Sequence, residues 1–189
     1  MKNSINEDGV RTRLILAALD ELCVHGISDF SLRRVAAIAQ VSCAAPYRHF
    51  KSKEELIAET ADYITSKWEL LSREIISACA GDSFKTLLAL STAAVRFWVA
   101  NGNFRSLLIP EPSSELAARM KKFDEPVERF VSVCTEESGG SDATAKRDFV
   151  LSLIYGAVVL VTSGKLASEA AISVVSEQLK SVFSPMEKS

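Results

Sequence analysis

Hydrophobic positions recur along most of the chain at spacings of three and four, the period of a helix with one buried face. Ile15, Ala18, Leu19 and Leu22 form the first stripe, in a helix predicted from near Val10 to a stop at Gly26, with residues 1–9 as a polar, frayed lead. Ser31 is placed to cap a short second helix with Val35, Ala36, Ile38 and Ala39 on its apolar side, and Phe30 and Val35 hold hydrophobic-staple positions. Gln40, Val41 and Ser42 read as a tight turn, with Val41 plugging the angle between two helices. Ser42 then caps a third helix over 43–50, which buries Phe50 and part of Tyr47.

Ser52 with Glu55 is a capping box, so a long helix starts there and carries Leu56, Ile57, Ile64, Trp68, Leu71 and Ile75 to about Cys79, roughly 40 Å at the standard rise. Gly81 breaks it, and Asp82 or Ser83 opens a helix that ends near Asn101. A short apolar turn over 104–109 is cut off by Pro110 and Pro112. The next helix opens at Ser113 or Ser114, and Pro126 is expected to kink or divide it. Two final helices, 142–162 and 168–183, follow a plain loop at 138–142. The predicted class is all-α, with a three-helix N-terminal domain over 1–51 and a helical domain over 52–189.

Composition agrees: 48% hydrophobic content supports a core, while 8 Gly, 5 Pro and 7% aromatics favour long helices. The apolar run at 149–161 is shorter than the roughly 18 residues of a membrane span, and the first residues lack an apolar signal region, so a cytoplasmic chain without membrane partner is expected. Four scattered cysteines without a CxxC pair, and only His25 and His49, argue against a zinc site, a disulfide framework or any metal cofactor.

The net charge of -2 does not by itself favour nucleic acid. Its distribution does: residues 1–55 carry 8 cationic against 7 acidic side chains, and residues 56–189 carry 14 against 17. From Arg33 to Lys53 there are five cations and no carboxylate, a local patch suited to phosphate. The third helix opens with small residues and continues with Tyr47, Arg48 and His49, a shape that fits the DNA major groove.

With the helix that ends at Gly26, the pattern SLRRVAAIAQVS and the run YRHFKSKEEL resemble the tetracycline-repressor (TetR-like) family of bacterial transcription regulators, over about a quarter of the chain. The resemblance implies an N-terminal helix-turn-helix domain and a helical C-terminal domain for ligand binding and dimerisation. It places Arg33 on a phosphate or a guanine edge, and Ser31, Ser42, Tyr47 and Lys53 on the sugar-phosphate backbone. The two serines could equally be plain caps and Tyr47 a packing residue. Cys43 and Ala44 would face base edges as small apolar contacts, leaving readout to Arg33, Arg48, His49 and DNA shape. Two departures stand out. Gln40 occupies a corner where many members have Gly, and Pro46 falls at about the fourth position from a Ser42 cap, where it would distort the first turn.

In the second domain Trp68, Phe84, Phe97, Trp98, Met120, Phe123, Phe130 and Tyr155 are candidates to line a cavity for a small apolar or aromatic effector, with core packing as the plainer reading. Arg96 and Arg105 are candidates for a ligand carboxylate. The last two helices carry more apolar surface than one outer face needs, and Gly156 with Ala157 permits close approach, so a homodimer through them is expected. The expected function is a ligand-released repressor on a pseudo-palindromic double-stranded operator. The rivals are a helical ligand-binding or protein-interaction module without DNA binding, and a small enzyme, for which no nucleophile elbow, metal cluster or phosphate loop is present.

Overall fold

A computed structural model describes residues 2–101 and 115–183, and all its regular elements there are helices. In order they are α1 (Lys2–His25), α2 (Leu32–Ile38), α3 (Ala45–His49), α4 (Lys53–Ala78), α5 (Ser83–Ala100), α6 (Glu115–Glu137), α7 (Ala143–Thr162) and α8 (Ser168–Phe183). The chain is all-α, as its hydrophobic period requires.

Most boundaries follow from local chemistry. Gly26, at φ 67°, returns its N–H to the Leu22 carbonyl at 2.9 Å and ends α1. Asp82 accepts the Lys85 N–H at the start of α5, and Asp142 accepts the Ala145 N–H at the start of α7. At α4 the Ser52 hydroxyl accepts the Glu55 N–H at 3.1 Å while the Glu55 carboxylate accepts the Lys51 N–H.

Three expectations are corrected. α1 begins at Lys2 and not near Val10, because an apolar stripe marks only where a helix is packed and backbone bonding continues beyond it. α6 is not divided at Pro126 and stays one helix from Glu115 to Glu137, the proline's cost of one backbone bond being offset by buried Phe123, Val127 and Val131 on either side. The third helix starts at Ala45, capped by Ala44 and not by Ser42. The turn at 104–109, the prolines after it, the openings at Ser113 and Ser114, and Arg105 lie outside the described residues.

Two compact units divide the described residues. The first contains α1, α2, α3, residues 53–67 of α4 and residues 115–121 of α6. There α1 packs on α2 and α2 on α3 around Leu14, Ala18, Leu22, Val35, Ala36, Phe50 and Leu56, all buried. The second contains residues 68–78 of α4, all of α5, residues 122–137 of α6, α7 and α8. In it α5, α7 and α8 pack mutually around Leu87, Leu90, Val95, Val150, Val158, Val175 and Leu179. Burying a Leu or Val contributes about 1.5–3 kcal/mol, so each unit has a core of its own.

Candidate nucleic-acid interface

The corner between α2 and α3 is a Schellman ending. Val41 N–H reaches the Ala36 carbonyl at 3.0 Å and Gln40 N–H the Ala37 carbonyl at 3.1 Å. Gln40 takes the left-handed position at φ 55°, and it is the one non-glycine with positive φ among the described residues. The same bond pair closes α6 and α7, where Gly139 and Gly164 hold that position at φ 68° and 71°. The chain therefore keeps the corner a glycine would make, at the cost of a strained Gln40.

Pro46 is equally well accommodated. Because α3 starts at Ala45, Pro46 is the second helical residue, where no intrahelical donor is required, and its own carbonyl accepts the Phe50 N–H at 2.9 Å. The first turn is tightened instead by Ala45 N–H on the Ser42 carbonyl at 2.9 Å.

Ala45, Pro46 and Phe50 face inward, and Ser42, Cys43, Ala44, Tyr47 and Arg48 face outward. Tyr47 is 68% exposed, so the expectation that it is partly buried is corrected: α3 is too short to wrap it against α1 or α2. His49 is half-buried, with its ring 6.5 Å from that of Phe50. Neither serine acts as a side-chain cap: Ser31 makes no such bond on α2, and Ser42 precedes the α3 cap. Lys53 is half-buried with its ammonium 5.8 Å from the Phe30 ring centre, which limits its reach. A backbone hydrogen bond and then the Ser52 hydroxyl hold the Glu54 carboxyl below its ordinary value, which keeps it anionic beside that lysine.

The adjacent arginines of α2 differ. Arg33 is exposed and meets no carboxylate among the described residues, while Arg34 is bound to Glu21 and Asp29. Sequence reasoning passed over Glu21. The signal was there: Glu21 falls on the buried stripe of α1 with Leu14, Ala18 and Leu22, and a charge on such a stripe needs a partner.

The model of the bacterial regulatory proteins of the tetR family matches residues 14–60, which run from the middle of α1 through α2, the corner and α3 into the start of α4. Over that segment the chain matches the tetR family. The matched segment contains both helices of the corner, which supports a DNA-binding transcriptional regulator. None of the curated proteins matches its sequence. Among solved structures it is similar to the transcriptional regulator FadR from Bacillus subtilis in complex with stearoyl-CoA, with 13% identity, TM-score 0.71, and coverage of 93% of this chain and 99% of that one. It is similar to the TetR family transcriptional regulator PfmR from Thermus thermophilus, with 19% identity, TM-score 0.68, and coverage of 94% and 97%. A putative TetR-family regulator from Syntrophomonas wolfei gives 13% identity, TM-score 0.75, and coverage of 96% and 98%. At these identities the likeness is one of fold.

The effector candidates separate. Trp68, Phe97, Trp98 and Phe123 form one ring cluster in the second unit, with Trp68 stacked on Phe123 at 4.5 Å and its indole N–H donating to the Phe123 carbonyl at 2.8 Å. Phe84 and Phe130 are half-buried outside that cluster, and Met120 is buried in the first unit. Tyr155 donates its hydroxyl to Asp124 at 2.6 Å. Arg96 lies on the surface, 3.9 Å from Glu169.

Proposed function

We propose that this regulator binds a pseudo-palindromic operator as a homodimer and leaves it when a small apolar or aromatic effector occupies the second domain. The observation that carries the DNA half is the face from Arg33 to Lys53. It presents Arg33, Ser42, Cys43, Ala44, Tyr47 and Arg48 to solvent with five cations and no carboxylate in the sequence between its ends. In this reading α3 is the recognition helix. Ser31, Ser42, Tyr47 and Lys53 hold the sugar-phosphate backbone, Arg33 holds a phosphate or guanine, and Cys43 and Ala44 touch base edges beside Arg48 and His49. The DNA-binding domain is 1–51, and 52–189 serves the effector and the dimer. The chain works as a binding protein in the cytoplasm and not as an enzyme.

Dimerisation through α7 and α8 is supported by the apolar side chains those helices leave outside: Phe149, Val159, Leu160 and Val174 are 38–45% exposed. Gly156 lies on the same exposed stripe of α7, one turn before Val159 and Leu160. The effector half is supported by the aromatic cluster around Trp68 and by the similar FadR structure, which holds stearoyl-CoA. An effector that prefers one conformer shifts the equilibrium by its differential affinity, and α4 belongs to both units.

Selection from a random duplex library, followed by gel shift, tests the proposal. The wild-type chain should enrich a two-fold site, and Arg33→Ala and Tyr47→Ala should each weaken it by about 1–3 kcal/mol while circular dichroism stays unchanged. Enrichment of no site, or equal binding by both variants, would overturn it.

A further inference from the structure

Glu21 is 1% exposed and is the one buried charged side chain among the described residues. Its Oε1 accepts the Ser31 N–H at 3.1 Å and the Arg34 Nε at 2.7 Å, and the Arg34 Nη2 lies 2.7 Å from it as an ion pair. Arg34 Nη2 also donates to the Asp29 carbonyl and lies 3.3 Å from the Asp29 carboxylate. On the other side His25 Nε2 stands 3.9 Å from Glu21 Oε2, and His25 Nδ1 3.4 Å from Asp29.

Stability alone does not call for this arrangement. Burying the Glu21 carboxylate removes hydration that its attraction to the partly exposed Arg34 only partly restores, and a packed apolar pair at such a place is often as stable or more so. What an apolar pair lacks is direction. The Ser31 N–H is one of the donors that a helix start leaves without an intrahelical partner, and Glu21 satisfies it from below. The Ser31 hydroxyl makes no cap bond to the helix and so keeps its hydrogen-bonding capacity. The planar fork of Arg34, anchored at two nitrogens, sets the rotation of α2 about its axis, and Arg33 stands about 100° around that axis from it.

We propose that Glu21 is a positioning residue for DNA binding: its buried carboxylate fixes the start of α2 so that the Ser31 hydroxyl and the Arg33 guanidinium meet the duplex together. This rests on reading that face as the DNA surface. Glu21 itself touches no nucleic acid, and its effect passes through the two groups it aims.

The full-length chain is tested on the duplex selected by the wild type and on a scrambled duplex, with three variants. Glu21→Gln retains an oxygen where Oε1 stands, Glu21→Leu removes the acceptor, and Glu21→Leu with Arg34→Leu replaces the ion pair by an apolar one and guards against a misfolded single variant. Glu21→Leu and the double variant should bind the selected duplex at least about tenfold more weakly, the worth of one lost base or phosphate contact, with scrambled-duplex binding within about threefold. Glu21→Gln should recover to within about threefold of wild type, because a neutral acceptor still takes the Ser31 and Arg34 donors. Amide hydrogen exchange at Ser31 should accelerate in Glu21→Leu and not in Glu21→Gln. Wild-type affinity in the folded double variant overturns the proposal, and so does a Glu21→Gln as weak as Glu21→Leu, which would make the charge and not the aimed bonds the agent. A wild-type chain that selects no site overturns the DNA reading itself and this role with it.

Discussion

At the scale of single residues, Gln40 shows how much strain a helix-turn-helix corner tolerates. An L-residue in the left-handed region costs about 1–2 kcal/mol, and glycine there gives back part of that gain as unfolded-state entropy. Gln40→Gly should therefore raise stability by about 0.5–1 kcal/mol, read as a higher denaturant midpoint at unchanged m-value. A decrease would mean that the Gln40 side chain makes contacts that outweigh its backbone strain. Pro46 teaches the converse: whether a proline disturbs a helix depends on its position from the first residue, and a shift of that start from 43 to 45 changes a disruptive place into a permissive one.

At the scale of elements, α6 and α7 are joined by the Tyr155 hydroxyl on Asp124. Burial raises the Asp124 carboxyl from its ordinary 3.8 to about 6, against the lowering effect of the Tyr155 bond, with Glu128 adding repulsion. Burial likewise pushes the Tyr155 hydroxyl up, so it remains a donor throughout the ordinary range. A carboxyl whose folded value lies above its unfolded one takes up protons on folding, so its contribution falls as pH rises from about 4 to about 6. Over that window the stability of the wild type should decline by up to about 3 kcal/mol on this account. Asp124→Asn should flatten the decline, and Tyr155→Phe should move it to higher pH, both measured by denaturant titration in a pH series. An unchanged slope in Asp124→Asn would assign the decline to other groups.

At the scale of the whole molecule, the dimer proposed through α7 and α8 is what turns a single short recognition helix into an operator binder. One recognition helix reads few bases, and two in successive major grooves, about 34–36 Å apart, add their contacts. Gly156→Leu tests this cleanly. Nothing lies within 4 Å of a Cβ built at Gly156, so the larger side chain leaves the chain itself intact. A second copy packed closely there would be displaced. The variant should sediment as a folded monomer at concentrations where the wild type is a dimer, and should bind the selected duplex at least about tenfold more weakly, since both half-sites no longer act together. A Gly156→Leu dimer of wild-type affinity would place the interface elsewhere.

Much of this was legible beforehand because it is local. The period of three and four, the cap at Asp82 or Ser83, the Ser52 box and the run from Tyr47 to Leu56 lie within a few residues of what they specify, so the helices, the family resemblance and the basic face could be read along the chain. Tertiary structure decided what depends on distant neighbours. It brought Glu21 under Ser31 and Arg34, thirteen residues or less away in sequence but on another helix, and it stacked Trp68 on Phe123 while leaving Phe84 and Phe130 outside. It also moved the start of α3 and turned Tyr47 outward. Capping and periodicity act through backbone geometry within one turn, whereas the pairing of a buried charge and the choice of ring partners depend on which faces meet, and only the folded chain sets that.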